Sequence, residues 1–233
     1  MKTLRTLTLL ASMLALTAGL FAQTFEGKIH FKMTGQEKPS RRAGSDSPML
    51  MTYFLKGGLM RVDMEMSEGK VMGGSIIDPV KHQVTILMPE QKMYMVRKMS
   101  EQQQSAGATA PGSDAEFVRT GQTEVILGYK CEKIIIRSKN GETEIWGAEG
   151  FGTFQSMGSG GPMGRSSPKS AWETSLAQHG FFPLRMVNRD KSGKELTRME
   201  AISVDKQSLP DSVFAPPADY QPFQMPSIPG FGG

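Results

Sequence analysis

Methionine is the residue type used most unusually here, and it has a chemistry of its own: 18 of 233 residues carry a thioether, a soft donor that suits monovalent copper. Three pairs have the form Met-x-Met: Met49 with Met51, Met64 with Met66, and Met93 with Met95. On a strand, where alternate side chains share a face, each pair sets two thioethers on the same side. The pattern also describes an adaptable apolar core or a greasy groove, because an unbranched thioether conforms to varied shapes. Soft-metal sites usually add cysteine or clustered histidine, and neither accompanies these pairs. A core or lipid-lined groove is therefore the preferred reading, with copper held by Met64, Met66, Met93 and Met95 as the alternative.

Other chemistry is sparse. The hydrolase elbow Gly-x-Ser-x-Gly is absent, and Gly158-Ser159-Gly160-Gly161 has the wrong spacing for it. A P-loop is missing, and Gly150-Phe151-Gly152 lacks the third glycine of a dinucleotide fingerprint. His30, His82 and His179 are scattered, so each is expected to be an exposed, solvated imidazole. Asp63, Glu65, Glu142 and Glu144 alternate with apolar residues and are expected on solvated sheet surface. Cys131, the one cysteine, follows Tyr129 at strand spacing, which places it on an inner face as a small hydrophobe. These features predict no catalytic residue, no cofactor and no conventional metal site.

The elements that would position the methionines read as short strands. Phe25, Gly27, Ile29, Phe31 and Met33 alternate with Glu26, Lys28, His30 and Lys32, the period of a half-buried strand. Met49–Lys56 and Leu59–Met66 flank Gly57-Gly58, whose missing side chains permit the positive φ of a tight hairpin. Further strands follow at 74–78, 83–88 and 93–98, with Pro79 and Pro89 in the turns. Ser113 and Glu116 have capping-box spacing and predict a short helix carrying Phe117 and Val118. Thr123–Ser138 then runs to Asn140-Gly141 and Glu142–Ala148 returns, while Phe182–Arg189 and Glu195–Val204 form a last hairpin. Between these hairpins, Pro168 and the Ser170-to-Glu173 spacing start a helix bearing Trp172 and Leu176, closed by Gly180. Insertions at about 35–48, 100–112 and 155–167 are polar or Gly/Ser-rich and predict flexible loops, and residues 215–233 a wandering Pro/Gly-rich tail.

Lys2 and Arg5 followed by the apolar run Leu7–Leu20 read as an export signal over residues 1–22, cut before Gln23. No cysteine follows for acylation. Removing Lys2 and Arg5 lowers the net charge from +4 to +2, which argues against a nucleic-acid partner. No later apolar run approaches the roughly 20 residues of a membrane helix. A single β-rich domain over 23–214, periplasmic or secreted, is the expectation.

The motifs Tyr53-Phe54-Leu55-Lys56-Gly57, Met88-Pro89-Glu90-Gln91-Lys92-Met93-Tyr94, Gly128-Tyr129-Lys130-Cys131-Glu132-Lys133 leading to Glu144-Ile145-Trp146, and Leu209-Pro210-Asp211-Ser212-Val213-Phe214 occur in this order. In that order the chain resembles an uncharacterised family of exported bacterial proteins, DUF4412-like, related in pattern to the LolA-like lipoprotein-carrier fold. The resemblance implies an α+β, mainly β fold: a curved antiparallel sheet, an incomplete β-barrel, with a few short helices over its concave face. Carriers of that fold hold acyl chains or lipoproteins in the concavity.

Together these readings predict a non-enzymatic cell-envelope binding protein that shelters a lipid, an acyl chain or a lipidated partner. The expected lining is Met51, Tyr53, Met60, Met64, Met66, Met93 and Met95. The alternatives are the copper protein above and an assembly component whose sheet edge pairs with another envelope protein.

Overall fold

In the computed structural model, residues 25–35, 48–65, 69–99, 116–139, 141–154, 176 and 179–223 are described. The expected signal segment, Met66, Trp172 and the bulk of the three insertions lie outside them. Among the described residues twelve strands form one sheet. In chain order they are β1 (Gly27–Thr34), β2 (Met49–Lys56), β3 (Leu59–Glu65), β4 (Val71–Asp78), β5 (Gln83–Met88) and β6 (Met93–Lys98), then β7 (Glu116–Ile126), β8 (Tyr129–Ser138), β9 (Gly141–Ala148), β10 (Phe182–Asp190), β11 (Glu195–Lys206) and β12 (Gln221–Pro222).

The spatial order is β12-β6-β5-β4-β3-β2-β1-β11-β10-β9-β8-β7. Two meanders, β1 to β6 and β7 to β11, are thus welded where the last long strand pairs with the first, from Gly27 opposite Lys206 to Thr34 opposite Arg198. The sheet does not close, since β12 and β7 are its two edges. It is nevertheless strongly curved. Phe25 N–H donates to Gly150 O at 2.9 Å, although β11 and β10 lie between β1 and β9 and a flat sheet would hold those strands about 14 Å apart.

The concave side is filled by the chain's own rings. Phe31, Tyr53 and Phe182 are almost wholly buried. Tyr53 meets Phe31 edge-on at 5.2 Å and Phe182 at 5.9 Å, and stacks on Phe154 at 5.8 Å. Such pairs add to the stabilisation that burial alone supplies. Phe25 continues the cluster to Phe151 and Tyr129. Of the late helix, Leu176 and His179 are described. Leu176 is buried in the core, and Phe181 N–H donates to Leu176 O at 3.1 Å across Gly180, whose φ of 68° makes the left-handed stop that the sequence predicts.

Several expectations need correction. Phe117 and Val118 belong to strand β7, opposite Ile136 and Ile135 of β8, rather than to a helix. Paired apolar and β-branched side chains on a ladder outweigh a capping box worth about 1 kcal/mol. The run Thr123–Ser138 is two strands, because Leu127 and Gly128 turn the chain at φ of 50° and 85°. A leucine rarely takes that conformation, so no Asn-Gly or Gly-Gly cue marks the hairpin.

Asp63 is not solvated surface: it is 5% exposed, with both its oxygens held by Arg61 at 2.8 and 2.9 Å. Its cover is the C-terminal segment, which crosses the outer face of β2 and β3. Lys56 Nζ donates to Leu209 O at 2.5 Å and Arg61 Nη1 to Val213 O at 3.0 Å. Residues 215–223 do not wander either. Gln221 N–H donates to Lys92 O and Phe223 N–H to Tyr94 O, laying β12 parallel to β6. Pro222 is tolerated there because an edge strand needs no donor on its outer side.

Candidate functional site

The methionines fall into a row across the core face of the sheet. Met186 of β10 lies opposite Met199 of β11, Met199 opposite Met33 of β1, and Met33 opposite Met49 of β2. One step deeper Met51 of β2 faces Met64 of β3, and Met64 faces Gly73 of β4. Beyond Gly73, Met88 of β5 faces Met93 of β6. Alternation explains the shared face: Met33 continues Ile29 and Phe31, and Met64 continues Met60 and Val62, all core residues.

Burial grades along this row. Met199 and Met51 are buried, whereas Met33, Met49, Met64, Met88, Met93 and Met186 are half-buried. Gly73 is bare backbone in the middle of it, and the methyl carbon of Met64 lies over that gap, 3.4 Å from where a Cβ would stand. The result is a strip of unbranched thioethers in which the Met64 methyl covers the gap at Gly73.

The structure divides the expected lining. Met64 and Met93 lie on the half-buried strip. Met51, Tyr53 and Met60 are packed within the core and offer no surface, and Met95 is 7% exposed. Met66 lies outside the described residues. Spacing gives no reason to choose Met33, Met88, Met186 or Met199, because each is a lone methionine on its face of a strand and only register brings them into line. Of the four methionines of the copper alternative, Met66 lies outside the described residues and the other three stand on two separate strands. Met64 on β3 and Met93 and Met95 on β6 are separated by β4 and β5, about 14 Å of sheet.

The opposite face carries a hydroxyl, an imidazole and carboxylates in line. Thr52 Oγ1 lies 3.0 Å from His30 Nδ1 and donates to Glu65 Oε1 at 3.0 Å, while His30 Nε2 is 3.5 Å from Asp205. Thr52 is 4% exposed, so it lacks the access that an attacking oxygen requires. His30 is held in this chain and His179 stacks on Phe117 at 4.7 Å, so neither is the freely solvated imidazole that their scattered positions suggest.

Elsewhere charge serves the fold. Burial raises the Glu144 carboxyl, but the bonds from Trp146 Nε1 and Lys133 outweigh it and hold the group below the usual carboxylate range. Desolvation pushes the Cys131 thiol up to about 11, so this sulfur is an inert filler. Among the described residues no group of three His, Cys, Asp or Glu side chains is placed to hold a metal ion. No helix among them is long and apolar enough to cross a membrane.

A protein family described as "Domain of unknown function (DUF4412)" matches residues 25–220. No curated protein matches the sequence. Similar solved structures include an uncharacterized conserved protein from Thermus thermophilus, 12% identical over 87% of this chain and 91% of that one, with a TM-score of 0.49. The complex of MucA and MucB from Pseudomonas aeruginosa matches at 10% identity over 85% of this chain and 58% of that one, with a TM-score of 0.43. A putative outer membrane lipoprotein-sorting protein domain from Vibrio parahaemolyticus matches at 8% identity over 81% and 88%, with a TM-score of 0.32. None of these likenesses bears on the chemistry of this chain.

Proposed function

This chain belongs to the DUF4412 family, and we propose that it is a non-enzymatic binding protein of the cell envelope that takes an acyl chain or a lipidated partner onto its thioether strip. The observation that carries the reading is the half-buried run of Met64, Met88 and Met93 beside the bare backbone of Gly73. Leucine or isoleucine would pack such positions more rigidly. Methionine keeps the surface apolar yet deformable, which a site for chains of differing length and branching needs. The aromatic cluster beneath, from Phe31 to Phe182, is a rigid floor that the ligand does not have to order.

Export rests on the leader-like first residues, Lys2 and Arg5 followed by Leu7–Leu20. The test is uptake of a fluorescent fatty acid by the purified chain. Binding that is lost in Met64→Asp while the variant keeps its β-sheet spectrum supports the reading. A wild-type chain that neither takes up the probe nor carries lipid from native envelope refutes it.

A further inference from the structure

We propose that the uninterrupted end of the thioether row, Met186, Met199, Met33 and Met49, is a binding site for one soft monovalent metal ion, copper(I) in type. These four residues occupy the adjacent strands β10, β11, β1 and β2, each directly opposite the next. Directly opposed side chains start about 4.5–5.5 Å apart at Cβ. Any three successive thioethers therefore span two strand spacings, roughly 10 Å, and unbranched chains with three rotatable bonds close from that span onto one point. The other end of the row lacks this property, because Gly73 interrupts it.

Two further observations favour a site over mere packing. On the same strands the deeper positions of the core face are otherwise aromatic or aliphatic, Met51 on β2 excepted: Ile29 and Phe31 on β1, Tyr53 and Leu55 on β2, Phe182 and Leu184 on β10. Methionine replaces them at the row, and at 18 in 233 residues composition alone does not deal four in succession. Exposure is graded as a loading site requires. Met199 is 3% exposed and anchors the row from inside, while Met33, Met49 and Met186 are half-buried and reachable. Neutral thioethers leave the charge of the ion uncompensated, so a monovalent soft ion is selected over a divalent one that demands carboxylate, imidazole or thiolate. Cys131 takes no part, being on β8, and His30 points to the opposite face of β1 from Met33, three residues away at strand spacing.

The experiment is titration of the full chain with copper(I) under anaerobic conditions, and with silver(I) in air, against a chromophoric chelator. One equivalent is expected, with an all-sulfur shell by X-ray absorption. Met33→Leu combined with Met199→Leu, a near-isosteric change that keeps the fold, is expected to weaken binding at least tenfold. Cys131→Ala and the pair Met64→Leu with Met93→Leu are expected to leave it unchanged. The absence of binding, a nitrogen or oxygen shell, retained affinity in the Met33/Met199 variant, or loss in the Cys131 variant each overturns the proposal. The absorption spectrum is taken on the unaltered chain and so does not depend on any variant folding. Gly73→Val, a change outside these four residues, separates this proposal from the apolar-ligand reading: copper(I) binding is expected to persist there whether or not fatty-acid uptake is lost, and its loss overturns the metal site.

Discussion

Filling the recess at Gly73 separates ligand binding from stability. Gly73 lies within β4 opposite Met64, and a Cβ there would meet the Met64 methyl at 3.4 Å and Leu87 O at 3.9 Å, both ordinary contacts. Its φ is not in the left-handed region, so Gly73→Val introduces no backbone strain. A β-branched residue replacing strand glycine is expected to hold stability level or raise it by about 0.5–1 kcal/mol. The new methyl groups occupy the space of roughly three ligand methylenes. At about 0.8 kcal/mol for each buried methylene that is ~2.4 kcal/mol, or some fifty-fold in affinity. Fluorescent fatty-acid titration measures the loss and urea unfolding measures the stability. If Gly73→Val unfolds at the same or higher urea concentration and still binds within about threefold of the parent chain, the recess is not where the ligand lies.

Four other outcomes follow from the geometry. Asp63→Ala leaves Arg61, at 18% exposure, without its carboxylate; it is expected to cost about 2–4 kcal/mol in urea unfolding, and more than the double change Arg61→Met with Asp63→Ala, which removes both charges. Phe182→Ala removes a fully buried ring that meets Phe31, Tyr53 and Phe154 and is expected to cost about 3–5 kcal/mol by the same measurement. Cys131, with its thiol at about 11, is expected to resist a disulfide reagent at pH 8 until the chain is unfolded in denaturant. The fourth concerns acid: the Leu209 N–H bond, with Lys56 beside it, holds Glu26 below its ordinary 4.5, and Lys56 holds Asp211 below its ordinary 3.8. Carboxyls depressed in the folded state stabilise above their unfolded pKa, and that support fades as pH falls through the folded values. Limited proteolysis of the C-terminal segment is therefore expected to quicken below about pH 4 while the rest of the sheet stays protected; equal rates at pH 6 and pH 3.5 would contradict the clasp.

Legibility in the sequence followed the range of the interaction. Local alternation and turn chemistry marked β1 to β6, since Gly57-Gly58 and the prolines at 79 and 89 set their limits. They failed where conformation was imposed from outside. Leu127 turns at positive φ because the ladders on both sides hold it there, and the capping-box spacing before Phe117 yields to cross-strand partners on β8.

The candidate site divides in the same way. Met-x-Met spacing singles out Met64 and Met93, each expected to share a face with a methionine two residues away. It carries no sign of Met33, Met186 and Met199, single methionines on strands far apart in the chain. The polar periodicity of β3 likewise suggests a solvated Asp63, whereas a segment that bonds Arg61 from Val213, 152 residues further on, covers it.

From the order of residues alone came the strand period, the tight hairpins, the burial of Cys131 and the methionine excess, because each depends on neighbours within a few positions. Tertiary structure decided that β11 pairs with β1, that the C-terminal segment straps the outer face, and that methionines from both halves stand in one row. Those outcomes depend on register between distant strands, which hydrophobic burial and backbone hydrogen bonding settle jointly when the two meanders meet.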